Sequence, residues 1–111
     1  MPGKAVPKKA VRGIARQEAE RLLGNVPEEY VFWCCDGRIL RNMQELGEAL
    51  TTMNDEAFAY HSNSEKSDFS NWVRDIIRDE KLARDIGKSQ NRGEAAKAVA
   101  ERIAFLSSKL T

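Results

Sequence analysis

The chain reads as a mainly α protein, a compact bundle of five to six short helices with one small β-hairpin, and three observations predict it. Phe69, Trp72, Val73, Ile76 and Ile77 fall at i, i+3, i+4, i+7 and i+8, one apolar stripe of a helix, while Ser70, Asn71, Arg74 and Asp75 face away. Asn42 with Glu45, and Asn91 with Glu94, each write the capping box that opens a helix. The aromatic and β-branched run Tyr30 to Cys34 meets the turn signal Asp36-Gly37 and returns through Arg38-Ile39-Leu40, which reads as a hairpin with a two-residue turn.

At 111 residues and 41% apolar content the chain fits one domain with a modest core. Charged residues make up 32% with a net charge of +1, the mixed surface of a globular protein and not a disordered polyelectrolyte. The charge is split: residues 1 to 21 hold six Lys/Arg against two Glu, and the remainder holds twelve against fifteen, so a basic end joins a mildly acidic body. No stretch approaches the roughly 18 apolar residues of a membrane span, and no apolar core of a signal peptide follows the basic end, so a cytoplasmic protein is expected. The two cysteines, Cys34 and Cys35, are sequence neighbours and make no disulfide framework.

Taken in order, residues 1–7 read as a flexible basic tail and residues 8–111 as a single helical domain, with the hairpin near residues 30–41. A first helix over 8–23 carries Val11, Ile14, Leu22 and Leu23 on one side and Lys8, Arg12 and Arg16 on the other, ending at Gly24-Asn25. Helices follow over 43–53, with Met43, Leu46, Leu50 and Met53 on one face, and over 55–61, capped by Asn54. The polar loop His61 to Ser67 precedes a helix over 69–78 with Asp68 as its N-cap, and Asp79 caps a further helix over 80–87. The last helix, 92–109, aligns Ala96, Val99, Ile103, Leu106 and Leu110 as a narrow seam that either closes the bundle or pairs with another subunit as a homodimer. A hairpin alone is marginal in water, so the helices must cover it. The expected core is Phe32, Leu46, Leu50, Phe58, Phe69, Trp72, Ile76, Leu82, Val99 and Ile103.

Four segments, FWCCDGRILR at 32–41, ELGEAL at 45–50, Tyr60-His61, and DFSNWVRD at 68–75, together resemble a family of small uncharacterised prokaryotic domains, largely archaeal. The resemblance runs from about Tyr30 to Ile103 and rests on the combination. It implies a mostly helical domain of an archaeal or bacterial cytoplasm, and it transfers no catalytic residue. The basic N-terminal helix lies outside it, and so does the Cys34-Cys35 pair.

For chemistry, Cys34, Cys35 and His61 are the residue types of a zinc site, but adjacent cysteines on a strand point to opposite faces and a structural site wants four ligands. One cysteine is therefore expected in the core and the other partly exposed, with no metal and no cofactor. A thiol activated by His61, the only histidine, lacks any local signature, so no catalytic residue is assigned. Asp68 and Asp79 read as caps, and Asp75 as an ion-pair partner of Arg74, Arg78 or the basic N-terminal helix. Neither phosphate-binding glycine motif occurs. The leading expectation is a non-enzymatic interaction or accessory module that binds a protein partner. Its candidate surface is Lys8, Lys9, Arg12 and Arg16 with Asn71, Arg74, Asp75 and Arg78. Nucleic-acid binding along the basic helix comes second, and an enzyme using Cys34, Cys35 or His61 third.

Overall fold

In the computed structural model, which describes residues 14–111, six helices surround one two-stranded antiparallel hairpin. In chain order these are α1 (Arg16–Leu23), β1 (Phe32–Trp33), β2 (Ile39–Leu40), α2 (Met43–Thr52), α3 (Asp55–His61), α4 (Asp68–Trp72), α5 (Glu80–Lys88) and α6 (Arg92–Ser108). The mainly α bundle with a hairpin is thus the observed architecture. Residues 8–13 of the expected helix over 8–23, and with them the tail 1–7, lie outside the described residues; of the rest, Ala15 is extended (ψ 158°) rather than helical, so α1 begins at Arg16.

The caps set the helix starts. Asn42, Asn54, Asp79 and Asn91 each accept a hydrogen bond from the backbone N–H three residues on, satisfying a donor the helix itself leaves unpaired. In both boxes the glutamate reaches one residue further back than expected: Glu45 accepts from the Arg41 N–H (2.8 Å) and Glu94 from the Gln90 N–H (2.7 Å). Asp68 departs from its expected role. Ser67 stands at the cap position without a side-chain cap, and Asp68, already in the helix, turns its carboxylate to His61 and Lys66.

Helices α2 and α6 form the backbone of the bundle and run in opposite directions. Arg92, at the start of α6, donates to the Leu50 and Thr51 carbonyls at the end of α2, where unpaired acceptors and the helix dipole favour a cation. Midway, a Cβ on Gly47 would lie 3.1 Å from Val99 Cγ1, so glycine permits this close approach. Ala95, Val99 and Leu106 are buried and Ala96, Ile103 and Leu110 half-buried, so the apolar seam of the last helix is largely spent inside the chain.

The tryptophan helix holds the main surprise. After Trp72 the chain widens into a π turn over Val73–Ile77 and stops at Arg78, a left-handed residue at φ 73°. The Arg78 and Asp79 N–H groups both donate to the Val73 carbonyl (2.7 and 3.1 Å). The extra residue in this turn rotates Ile76 to a half-buried position and leaves Ile77 in the core, so the expected burial of Ile76 is only partial. It also brings Asp79 inward, where it is 3% exposed, caps α5 through the Leu82 N–H, and pairs with Arg102 of α6 at 2.7 Å. On the other side Arg21 of α1 donates to the Ile77 carbonyl (3.1 Å). An L side chain at left-handed φ costs about 1–2 kcal/mol. Arg78→Gly should therefore raise stability by about 0.5–1 kcal/mol after the added unfolded-chain entropy of glycine is discounted, read as a higher melting temperature. A loss of similar size would show that the arginine side chain itself holds the turn.

The remaining expected core residues are buried, with Ile103 half-buried like Ile76. Phe32 anchors the hairpin to α4: its ring stacks on Phe69 (5.0 Å) and meets Trp72 edge-on (5.7 Å). Trp72 Nε1–H donates to the Tyr30 carbonyl at 2.8 Å, which makes Trp72 a core residue with a satisfied polar end.

A candidate site where the hairpin turn meets a buried histidine

The hairpin loop is one residue longer than Asp36-Gly37 predicts. The Cys34 N–H donates to the Arg38 carbonyl (2.9 Å) and the Gly37 N–H to the Cys34 carbonyl (3.0 Å), enclosing Cys35, Asp36 and Gly37, with Gly37 at φ 97°. This is the three-residue loop in which glycine takes the positive-φ position. Asp36 fastens it by accepting from the Arg38 backbone (3.2 Å) and guanidinium (2.9 Å). Burial would raise the Asp36 carboxyl, but hydrogen bonds from Cys34 and Arg38 outweigh it and hold the group below the usual carboxylate range.

Strand β1 ends at Trp33, so Cys34 and Cys35 leave the alternation of a strand. Opposite faces were expected of them. Instead both sulfurs and a ring nitrogen of His61 lie within 4.8 Å of one another. Cys34 is buried and Cys35 exposed, as expected of the pair, and the Cys35 thiol reaches the Ala57 carbonyl of α3 at 3.7 Å. Burial pushes the Cys34 thiol up from its ordinary range.

His61 closes α3 and is only 5% exposed, enclosed by the rings of Phe32, Phe69 and Tyr60. Its Nε2 accepts the Cys35 backbone N–H at 2.9 Å, which puts the ring proton on Nδ1, and Nδ1–H donates to Asp68 Oδ2 at 3.0 Å. For Asp68, burial acts to raise the carboxyl, and the bonds from His61 and Lys66 more than offset it, so the group sits below its ordinary range. Its contribution to stability is therefore present above the ordinary carboxylate range and is lost as pH falls through the depressed value.

A thiol, an imidazole and a carboxylate in this order are the parts of a nucleophilic triad. The wiring differs from one in a decisive respect. The nitrogen that would take the thiol proton already accepts an amide hydrogen bond worth about 1 kcal/mol net, and S–H is too weak a donor to displace it. Among the described residues neither thiol hydrogen-bonds the ring. The arrangement thus fastens the hairpin turn to α3 and α4 through one histidine.

The expected surface residues that are described are all exposed. Lys8, Lys9 and Arg12 lie outside the described residues, while Arg16 is exposed and paired with Glu20 (3.4 Å). Asn71, Arg74, Asp75 and Arg78 are all exposed, with Arg74 and Asp75 paired to each other (3.0 Å). Arg74 borders a shallow groove of about 290 Å³ between α4 and α5, shared with Ser70, Glu80 and Arg84. No described helix is long and apolar enough to cross a membrane. Sequence reasoning passed over the exposed aromatics: Trp33 is 71% exposed, and Tyr30 and Tyr60 are also turned to solvent. The signal was the alternation of β1, which sends Phe32 inward and its neighbour Trp33 outward. No protein-family model, curated protein or solved structure matches the chain.

Proposed function

We propose that this domain is a non-enzymatic binding module of a prokaryotic cytoplasm, which docks a protein partner on the hairpin side of the molecule. One observation carries the reading: Trp33 stands 71% exposed on a strand whose neighbour Phe32 is buried. A tryptophan costs a great deal of apolar surface to leave in water, and tryptophan is the residue most over-represented among binding hot spots. The hairpin beneath it is held rigidly by His61 and the Phe32 stack, so the side chain is presented on a fixed platform, which lowers the ordering cost of docking. The occupied lone pair of His61 weighs against catalysis at the same place. Resemblance to the archaeal family supports the cellular setting.

The test is affinity capture from native prokaryotic lysate with the intact chain and with Trp33→Ala, both checked by circular dichroism. A stoichiometric protein captured by the first and lost by at least tenfold in the second supports the module. No stoichiometric partner together with small-molecule turnover, or capture indifferent to Trp33→Ala, refutes it.

A further inference from the structure

We propose that the Cys34-Cys35 turn and His61 together bind a thiophilic cation of the zinc class, with the two sulfurs and His61 Nε2 as ligands and a fourth position open to water. The site does not depend on the docking surface proposed above. The two sulfurs and a ring nitrogen of His61 already lie within 4.8 Å of one another, and Nε2 is the nitrogen that meets the turn, 2.9 Å from the Cys35 amide. In a tetrahedral site with metal–sulfur bonds of about 2.3 Å and metal–nitrogen bonds of about 2.0 Å, neighbouring donors stand about 3.5–3.8 Å apart, so a contraction of about 1 Å closes it. The exposed Cys35, the first residue of the three-residue loop, is the side chain placed to make that movement.

The histidine is prepared for coordination. Asp68 accepts from Nδ1, which fixes the tautomer with the lone pair on Nε2 and orients the ring. A carboxylate behind a ligating histidine is the usual second partner of a zinc-bound imidazole, and it raises the basicity of the ligand. The lone pair faces the cysteine turn, as its bond to the Cys35 N–H demonstrates. A cation would take that lone pair from the amide. Two metal–thiolate bonds and one metal–imidazole bond far outweigh one amide hydrogen bond, whereas a neutral thiol does not, and this difference separates metal binding from thiol catalysis at the same atoms. On binding, each thiol gives its proton to solvent as its sulfur joins the metal. The two thiolates then balance the charge of a divalent ion. Thiolate with imidazole selects zinc-class ions over magnesium or calcium, which take oxygen.

Cobalt(II) is the probe. It is added to the whole chain, reduced with a phosphine and stripped of metal, while the sulfur-to-cobalt charge-transfer band and the visible bands of tetrahedral cobalt are followed. One equivalent should develop both, zinc should abolish them, and Cys35→Ser should weaken binding at least tenfold. Cys35 is exposed, so this variant keeps its fold, as circular dichroism will verify. Cys34→Ala, a smaller side chain at the buried position, should lose the band as well. Absence of the charge-transfer band in the native chain, or its persistence unchanged in Cys35→Ser, overturns the proposal.

Discussion

Arg102→Ala is expected to destabilise the domain by about 3–5 kcal/mol, because it strands a carboxylate inside the protein. Asp79 and Arg102 form a two-point pair (2.7 and 3.1 Å) whose side chains are 1% and 11% exposed. Desolvation makes such a pair only modestly favourable against an apolar replacement, but breaking it from one side leaves the buried charge without compensation. For a domain of this size the loss corresponds to a fall in melting temperature of at least about 12 °C. A control separates the pair from the cap: Asp79→Asn combined with Arg102→Met keeps an oxygen for the Leu82 N–H and removes both charges, and it should recover much of the loss. Chemical denaturation of the three proteins checks this. A cost below about 1 kcal/mol for Arg102→Ala would mean that water reaches Asp79 and that the pair does not tie α6 to the π turn.

Phe69→Ala should cost a similar about 3–5 kcal/mol, by a different route. Phe69 is fully buried, stacks on Phe32 (5.0 Å) and Phe58 (5.9 Å), and touches the His61 ring (5.2 Å). Its removal opens a cavity among three elements at once, so the hairpin, α3 and α4 lose their common contact. The local signature is hydrogen exchange: protection of the Cys35 amide, which depends on His61 being held in place, should fall by more than that of amides in α6. Phe69→Leu keeps part of the volume and should cost less. Equal loss of protection everywhere would show that Phe69 serves the bundle as a whole and not the histidine junction in particular.

How far these features could be read from residues depended on the range of the interaction. Asn42, Asn54, Asp79 and Asn91 act on donors three residues away, so capping was legible. The burial of Phe69 and Trp72 followed from their spacing along one helix. The π turn was not legible. A stripe of Val73, Ile76 and Ile77 satisfies an α period equally well, and what settles the wider turn, Arg78 leaving the helix and Asp79 meeting Arg102, lies 23 residues further along the chain. Asp68 was misread for a related reason. Its position before an apolar run has the form of a cap, but His61, seven residues earlier, competes for the carboxylate and wins with a bond to a ring N–H. The cysteines failed on a single residue of strand length, since the alternation that separates neighbours ends at Trp33. Of the expected surface residues, Asn71, Arg74, Asp75 and Arg78 do share solvent exposure, while the aromatic that now carries the functional reading was treated only as part of a strand.

The two tryptophans, one outside and one inside, give this chain a pair of optical reporters that observe different events. Trp33 stands in water beside the cysteine turn, so its emission lies to the red and responds to whatever settles on the hairpin. Trp72, 7% exposed and bonded to the Tyr30 carbonyl, emits to the blue and shifts only when the interior opens. Occupancy of the turn and integrity of the fold can therefore be followed in one cuvette, without a label, by watching which end of the spectrum moves.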